Sequence, residues 1–169
     1  ISGAHSIPVT ENGLFEAVRI REVHLEEDPA AWNPERGFID YNRAGVPLIE
    51  IVTEPDFHDA IEVGEWLKNL VLTLSYIKVL NKDAGIKADV NVNINGVSER
   101  TEIKNVNSVS EIMRAINAEI ERHTNEKPSL RETRRWNSLK GKTELMRSKE
   151  ELADYRFIPD PDLVPIHVL

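Results

Sequence analysis

Two carboxylates, Asp89 and Glu102, flank a turn signal and are the residues best placed to hold a cation. Polar and apolar residues alternate from Lys87 to Ile94, which is the period of a half-buried β-strand. Asn95-Gly96 follows and favours a two-residue hairpin turn, because both residue types tolerate positive φ angles. Such a turn would place Asp89 directly opposite Glu102 on the polar face of the paired strands.

This predicted pairing carries a cost, because like charges directly opposite each other on two strands are destabilising. The pair could be neutralised by a bound cation, by a raised pKa of one acid, or by the basic neighbours Lys87, Arg100 and Lys104. A solvated polar face with ion pairs is the simpler alternative, since most charged side chains stay in water. The same register places Asn91 opposite Arg100 on this face.

A second polar cluster surrounds His24. Glu26 shares its strand face, and Glu27 and Asp28 follow directly. One imidazole and three carboxylates within five residues could ligate a cation, with an acidic loop rim as the alternative. Glu50 lies in another apolar strand, where a carboxylate is costly unless it is paired or bound to metal.

Positive charge is concentrated between residues 131 and 149. The formal net charge of the chain is −8, yet this segment holds seven basic and two acidic side chains. Residues 1–56 are the opposite, with four basic and eleven acidic side chains. A basic segment on an acidic protein indicates an anionic ligand at one place, with solvated surface charge as the alternative.

The composition is that of a soluble globular protein with a sizeable core. The chain has 169 residues, of which 40% are hydrophobic and 30% charged. No apolar run approaches the roughly 20 residues of a membrane span. The absence of cysteine excludes disulfides and thiolate-bound zinc, and it is compatible with a reducing cytosol.

The local patterns predict strands grouped around two separate helices. One helix is predicted to begin after Asp59 and the other after Ser108 or Ser110, with polar caps before apolar stripes. Residues 1–14 are predicted to be irregular, and Phe15–Leu25 is predicted to be a strand. The expected fold is α+β, with a mainly antiparallel sheet and helices packed on one face.

Several motifs occur in one order along nearly the whole chain. They are His24–Asp28, Asp40–Asp56, Asp89–Val92, Thr101–Asn105, Glu132–Arg134, Met146–Glu150, Asp154–Arg156 and Pro159–Leu163. Together they resemble GatB, the B-type subunit of the tRNA-dependent amidotransferases. The resemblance implies a core similar to the glutamine synthetase fold, an antiparallel cradle.

The resemblance also implies a reaction and partners. GatB proteins use ATP and Mg²⁺ to phosphorylate the side-chain carboxylate of Glu-tRNA(Gln) or Asp-tRNA(Asn). Ammonia, freed from glutamine by an amidase A subunit, then displaces the phosphate. A small C subunit completes a cytoplasmic complex, and no membrane is involved.

The same resemblance implies roles for individual residues. The implied catalytic residues are Glu26, Asp89 and Glu102; the implied metal ligands are His24, Glu26, Glu27, Asp89 and Glu102; and the implied contacts to ATP or the acyl phosphate are Arg147, Lys149, Arg156, Asn91 and Arg100.

The chain also departs from the family pattern. A Gly-Leu-Glu-Val-His strand that supplies further ligands is not present, nor are the cysteine zinc site of some members and the C-terminal helical and tail domains. Residues 1–169 are therefore expected to be a single domain, the central part of the cradle, and inactive alone. Two alternatives are an archaeal E-type subunit that acts on Glu-tRNA(Gln) only and a non-catalytic tRNA-docking scaffold. Met146–Glu150 and the Pro-Asp-Leu end favour GatB.

Overall fold

A computed structural model describes residues 7–33, 36–81 and 85–148. The chain divides into two compact units, Ile1–His58 and Asp59–Leu169. Within the described ranges there are nine strands and two helices, and neither helix is long and apolar enough to cross a membrane. The α+β class is confirmed, whereas the likeness to the glutamine synthetase cradle and the single-domain boundary stay predictions.

The first unit is built from antiparallel strands. They are β1 (Thr10–Phe15), β2 (Val18–Glu27), β3 (Ala31–Asn33), β4 (Phe38–Asp40) and β5 (Pro47–Thr53). One sheet has the order β1-β2-β5, and β3 pairs with β4 as a separate ribbon.

The start of this unit corrects two predictions. Residues 10–14 belong to a strand instead of an irregular segment, and the predicted strand Phe15–Leu25 contains a turn. The turn forms at Glu16, which adopts a φ of 53°, and it pairs Phe15 with Val18. Asn12 takes a φ of 58° inside β1 without ending the strand, so its positive φ marks a local distortion of the strand.

The second unit consists of a helix followed by two strands, an order that occurs twice. Its elements are α1 (Ala60–Tyr76), β6 (Lys87–Val92), β7 (Thr101–Asn107), α2 (Val109–Glu126), β8 (Glu132–Asn137) and β9 (Lys142–Ser148). The four strands form one sheet in the order β6-β7-β8-β9. Only β7 and β8 are parallel among these pairs, because α2 carries the chain back across the sheet between them.

Both helices begin where the sequence places a polar cap. Asp59 Oδ1 accepts the backbone N–H groups of Ile61 at 2.7 Å and Glu62 at 2.9 Å, which satisfies two of the first N–H groups of α1. Ser108 Oγ accepts the N–H of Glu111 at the start of α2. These caps confirm the predicted helix starts.

The core of the second unit lies between α2 and the sheet. Ile103 and Val106 of β7 are fully buried against apolar residues of α2. α1 packs against α2, and a side chain at Gly64 would collide with the Met113 thioether, so glycine permits the close approach of the helices. The residues of this buried cluster are Ala60, Val92, Ile103, Val106, Ile112, Ala115 and Ile116.

Candidate active site

The connection between β6 and β7 differs from the predicted hairpin. The strands end at Val92 and begin again at Thr101, so pairing stops well before the Asn95-Gly96 turn. Gly96 has a φ of 72° but Asn95 does not have a positive φ, so the turn is not type I′. Residues 93–100 therefore form a longer connection in place of the two-residue hairpin loop.

The register changes as a result. Asn91 pairs with Glu102, where the two-residue turn predicted a pairing of Asn91 with Arg100. The predicted direct opposition of Asp89 and Glu102 is therefore wrong by two residues. The ladder also shifts between Ala88 and Val90, which leaves Asp89 beside an irregularity in β7.

This irregularity holds Asp89 in place. Asn105 adopts a φ of 60°, and its backbone N–H donates to Asp89 Oδ1 at 2.9 Å. Glu102 has its own support from Thr133 of β8, whose hydroxyl donates to Glu102 Oε2 at 3.4 Å. Each carboxylate is thus held by a group that the other does not contact.

Lys104 bridges the two carboxylates. Its ammonium lies 2.6 Å from Asp89 Oδ2 and 2.7 Å from Glu102 Oε1. Burial alone lowers the pKa of Lys104, but its hydrogen bonds to the two acids outweigh this and raise the pKa above its ordinary value. The sequence left three ways to neutralise the two acids: a bound cation, a raised pKa of one acid, or a basic neighbour. In the structure a basic neighbour, Lys104, lies between them.

The donor set fits a magnesium ion. Asp89 and Glu102 direct oxygen atoms at one point that already holds a cationic group. Mg²⁺ commonly uses one or two carboxylates, with water and substrate phosphates as its other ligands. Over the part of the chain that the structure describes, no group of three or more His, Asp or Glu side chains is arranged to hold a metal. Asp89 and Glu102 would supply two of the oxygen ligands of such an ion.

The other predicted ligands lie in the first unit. His24 is buried in β2, and its Nε2 lies 3.1 Å from Glu22 Oε2. It pairs across the sheet with Glu50, so the acid within the apolar strand has an imidazole opposite it. Glu26 and Glu27 pair with Leu48 and Pro47 in the same ladder. The sequence patterns did not single out Glu22, although it shares the parity of His24 and Glu26.

The predicted phosphate contacts are only partly described. Arg100 is exposed just before β7, and Asn91 is exposed opposite Glu102. Arg147 belongs to β9, and its backbone lies opposite Thr133 of β8 in the ladder. Lys149 and Arg156 lie outside the described residues.

Part of the basic segment is neutralised within its own hairpin. Arg135 and Lys140 both contact Glu144, at 2.9 and 2.7 Å. Hydrogen bonds from Lys140, Arg135 and Asn137 lower the pKa of Glu144 to about 2. Arg135 and Lys140 are therefore ion-paired with an acid of the same hairpin.

A buried polar network lies between α2 and the sheet, and the sequence patterns did not predict it. Glu119 is 1% exposed and accepts hydrogen bonds from the Arg122 guanidinium, at 2.9 Å for the shortest contact. It also accepts a hydrogen bond from the Thr143 hydroxyl, and Arg134 lies 3.7 Å away. One signal could have found it, because Glu119 follows Ile112 and Ile116 at helical spacing.

His123 extends this network to the β6–β7 connection. The ring is fully buried, with Nδ1 2.7 Å from Ser98 Oγ and Nε2 2.9 Å from Thr101 Oγ1. Nε2 is also 3.2 Å from Glu119. Burial lowers the pKa of His123, and the Arg122 charge adds to this, while Glu119 opposes it. The net effect favours the neutral imidazole over the charged form.

Comparison with known proteins gives one consistent family. Residues 2–169 match the model described as the GatB/GatE catalytic domain. A Methanopyrus kandleri protein, named as the B-type subunit of aspartyl/glutamyl-tRNA(Asn/Gln) amidotransferase, is 48% identical over 94% of this chain and 35% of its own length. Proteins of the same name from Methanococcus aeolicus and Methanobrevibacter smithii are 46% and 42% identical, over 95% and 96% of this chain. The chain spans 36% and 37% of those two relatives.

Proposed function

The chain belongs to the GatB/GatE catalytic domain family, and we propose that it forms part of the catalytic centre of an aminoacyl-tRNA amidotransferase. In the proposed reaction, a side-chain carboxylate oxygen of Glu-tRNA(Gln) or Asp-tRNA(Asn) takes the γ-phosphoryl group of ATP and releases ADP. Ammonia then attacks the acyl carbon, phosphate leaves with the bonding electrons, and the nitrogen loses a proton. The product is Gln-tRNA(Gln) or Asn-tRNA(Asn).

The convergence of Asp89 and Glu102 on one cationic group is the observation that supports this proposal most directly. In the proposed site these carboxylates would hold Mg²⁺, which would offset the negative charge of the ATP phosphates. The Asn105 N–H fixes Asp89, and Thr133 fixes Glu102, so the oxygens are oriented before any ligand arrives.

The remaining assignments follow from the family resemblance. Glu26, Glu27 and His24 are proposed as further ligands, and Asn91 and Arg100 as polar neighbours of the nucleotide. Arg147, Lys149 and Arg156 are proposed to contact phosphate, because guanidinium and ammonium groups donate charge-assisted hydrogen bonds to phosphate oxygens.

The proposed partners are those of a GatB protein. They are an amidase A subunit that supplies ammonia, a small C subunit and the aminoacylated tRNA, in the cytoplasm. The relatives named as B-type subunits, at 42–48% identity, favour this assignment over an E-type subunit. The remaining alternative is a non-catalytic tRNA-docking scaffold. Activity measurements on variants of Asp89 and Glu102 distinguish it from a catalytic role.

The test uses the complete amidotransferase with Asp89→Asn or Glu102→Gln in this chain. We expect ATP-dependent acyl-phosphate formation on the tRNA to fall by roughly a hundredfold or more, because a fixed ligand of the phosphate-bound cation is lost. Glutamine hydrolysis and tRNA binding should remain. Glu121→Gln, which changes an exposed carboxylate on α2, is the matched control. Wild-type acyl-phosphate formation in both site variants would reject the catalytic role and favour the scaffold.

A further inference from the structure

We propose that Lys104 is a built-in cation that holds the candidate metal position and is displaced when a divalent ion binds. The inference rests on the proposed metal role of Asp89 and Glu102 and adds a residue to it. The ammonium contacts both acids at 2.6 and 2.7 Å, so it uses the oxygens that a shared metal ion would need. Two cations on the same oxygens repel each other, and binding of one therefore weakens binding of the other.

Lys104 is able to leave this position. Its side chain is 30% exposed, and a lysine side chain has four methylene groups and a strongly hydrated head group. Rotation of these bonds carries the ammonium from the carboxylates into water without movement of β7. The released ammonium stays tethered beside the metal position, where it can donate to phosphate oxygens of a bound nucleotide.

The carboxylates do not depend on Lys104 for their placement. Asp89 keeps its hydrogen bond from the Asn105 N–H, and Glu102 keeps its hydrogen bond from Thr133. Removing the ammonium therefore leaves two oriented acids with no cation between them. Their mutual repulsion then favours binding of a divalent ion.

The experiment measures binding of Mn²⁺ alone to the complete complex, without ATP or tRNA, by the electron paramagnetic resonance signal of free Mn²⁺. Lys104→Met should tighten binding at one site by about tenfold, the effect of removing one partly solvated competing charge. Lys104→Arg keeps the charge and should leave the affinity weak. Lys68→Met, at an exposed position of α1, is the matched control and should change nothing.

Adding Asp89→Asn to Lys104→Met assigns the site, because it should remove the tightened binding. Unchanged or weaker Mn²⁺ binding in Lys104→Met would overturn the proposal, as would tightened binding that persists with Asp89→Asn. These measurements use metal alone, so their failure is distinguishable from failure of acyl-phosphate formation in the activity test.

A second measurement uses the unaltered protein and does not depend on folding of a variant. Acetylation of Lys104 by an amine-reactive reagent, followed by mass spectrometry, should become faster when Mn²⁺ is added, because the amino group leaves its carboxylate partners and becomes accessible to the reagent. Lys68 should react at the same rate with and without metal. An unchanged or slower rate at Lys104 would contradict displacement.

Discussion

The two compact units use the same chemistry, arginine paired with carboxylate, in opposite environments. In the first unit, Arg19 contacts Asp56 and Arg21 contacts Glu54, each through a pair of hydrogen bonds. The Arg19 side chain is 66% exposed, so water competes with its carboxylate partner. These two pairs tie β2 to the residues that follow β5, and surface pairs of this kind contribute little to stability.

The second unit also has surface pairs, such as Arg135 with Glu144, but the arginine–carboxylate contacts around Glu119 are buried. Glu119 is shared by Arg122 of its own helix and Arg134 of β8, and Arg122 also contacts Glu132 at 2.9 Å. Removal of one partner from a buried group leaves an uncompensated charge away from water. The same residue types therefore fix local geometry in the first unit but bear on global stability in the second.

The apolar core is also less buried in the first unit than in the second. Among the described side chains of the first unit, Val18 is the only buried hydrophobic one, and His24 is buried beside acids. The second unit has a contiguous apolar cluster around Ile103 and Ile112, next to the Glu119 network. We infer that variants in the buried network will be costly and that variants of the surface pairs will not.

The largest expected effect comes from Glu119→Gln. Gln has nearly the same shape but no charge, so Arg122 and Arg134 lose a buried counter-ion while Glu132 remains. We expect the free energy of unfolding to fall by about 3 kcal/mol, measured by urea denaturation. Glu121→Gln, on the exposed face of the same helix, should stay within about 0.5 kcal/mol of the unaltered chain. A comparable loss in both variants would erase the distinction between the two environments.

The next largest effect is a dependence of the free energy of unfolding on pH, caused by His123. Glu119 and Arg122 face the ring from α2, and Glu132 acts on it from β8. Because the pKa of His123 is lowered in the folded state, the unfolded chain binds the proton more readily below about pH 6.5. Stability should therefore rise with pH and be lost progressively as pH falls below 6.5 toward the lowered pKa of the folded state, with a slope of at most about 1.4 kcal/mol per pH unit for one proton.

The measurement is the urea midpoint between pH 5 and 8. In His123→Gln this part of the slope should disappear, although the variant will be less stable at every pH. His58→Gln, which alters an exposed histidine, should keep the slope. A flat profile in the unaltered chain would show that protonation of His123 does not oppose folding.

Local signals in the sequence predicted the fold better than they predicted the site. Asp59 and Ser108 act on their own helix within a few residues, so the starts of α1 and α2 could be read from spacing alone. Asn95-Gly96 was misleading, because a turn sets the register only where the strands pair up to it.

The residues that the sequence did not reveal depend on distant partners. Glu119 looks like a polar interruption of an apolar stripe, and nothing near it in sequence points to Thr143 or Arg134 of the β8–β9 hairpin. His123 likewise meets Ser98 and Thr101, more than twenty residues earlier. These groups come together only because α2 connects two strands, β7 and β8, that lie parallel and adjacent in the sheet.

The smallest effect concerns the surface pair of Arg19 and Asp56. The Arg19 side chain, and then its backbone N–H at 2.9 Å, lower the pKa of Asp56 to about 2. Its stabilising contribution is present above the ordinary pKa of 3.8 and is lost as pH falls toward 2. Arg19→Met should raise the pKa of Asp56 only part of the way to 3.8, because the backbone hydrogen bond survives. Carboxylate NMR measures this directly.

The control for this pair is Arg21→Met, which removes the partner of Glu54 and should leave the pKa of Asp56 near 2. Neither change should shift the urea midpoint at pH 7 noticeably, since exposed ion pairs are screened by water and salt. A large loss of stability in Arg19→Met would mean that the first unit depends on its surface pairs as the second depends on its buried ones.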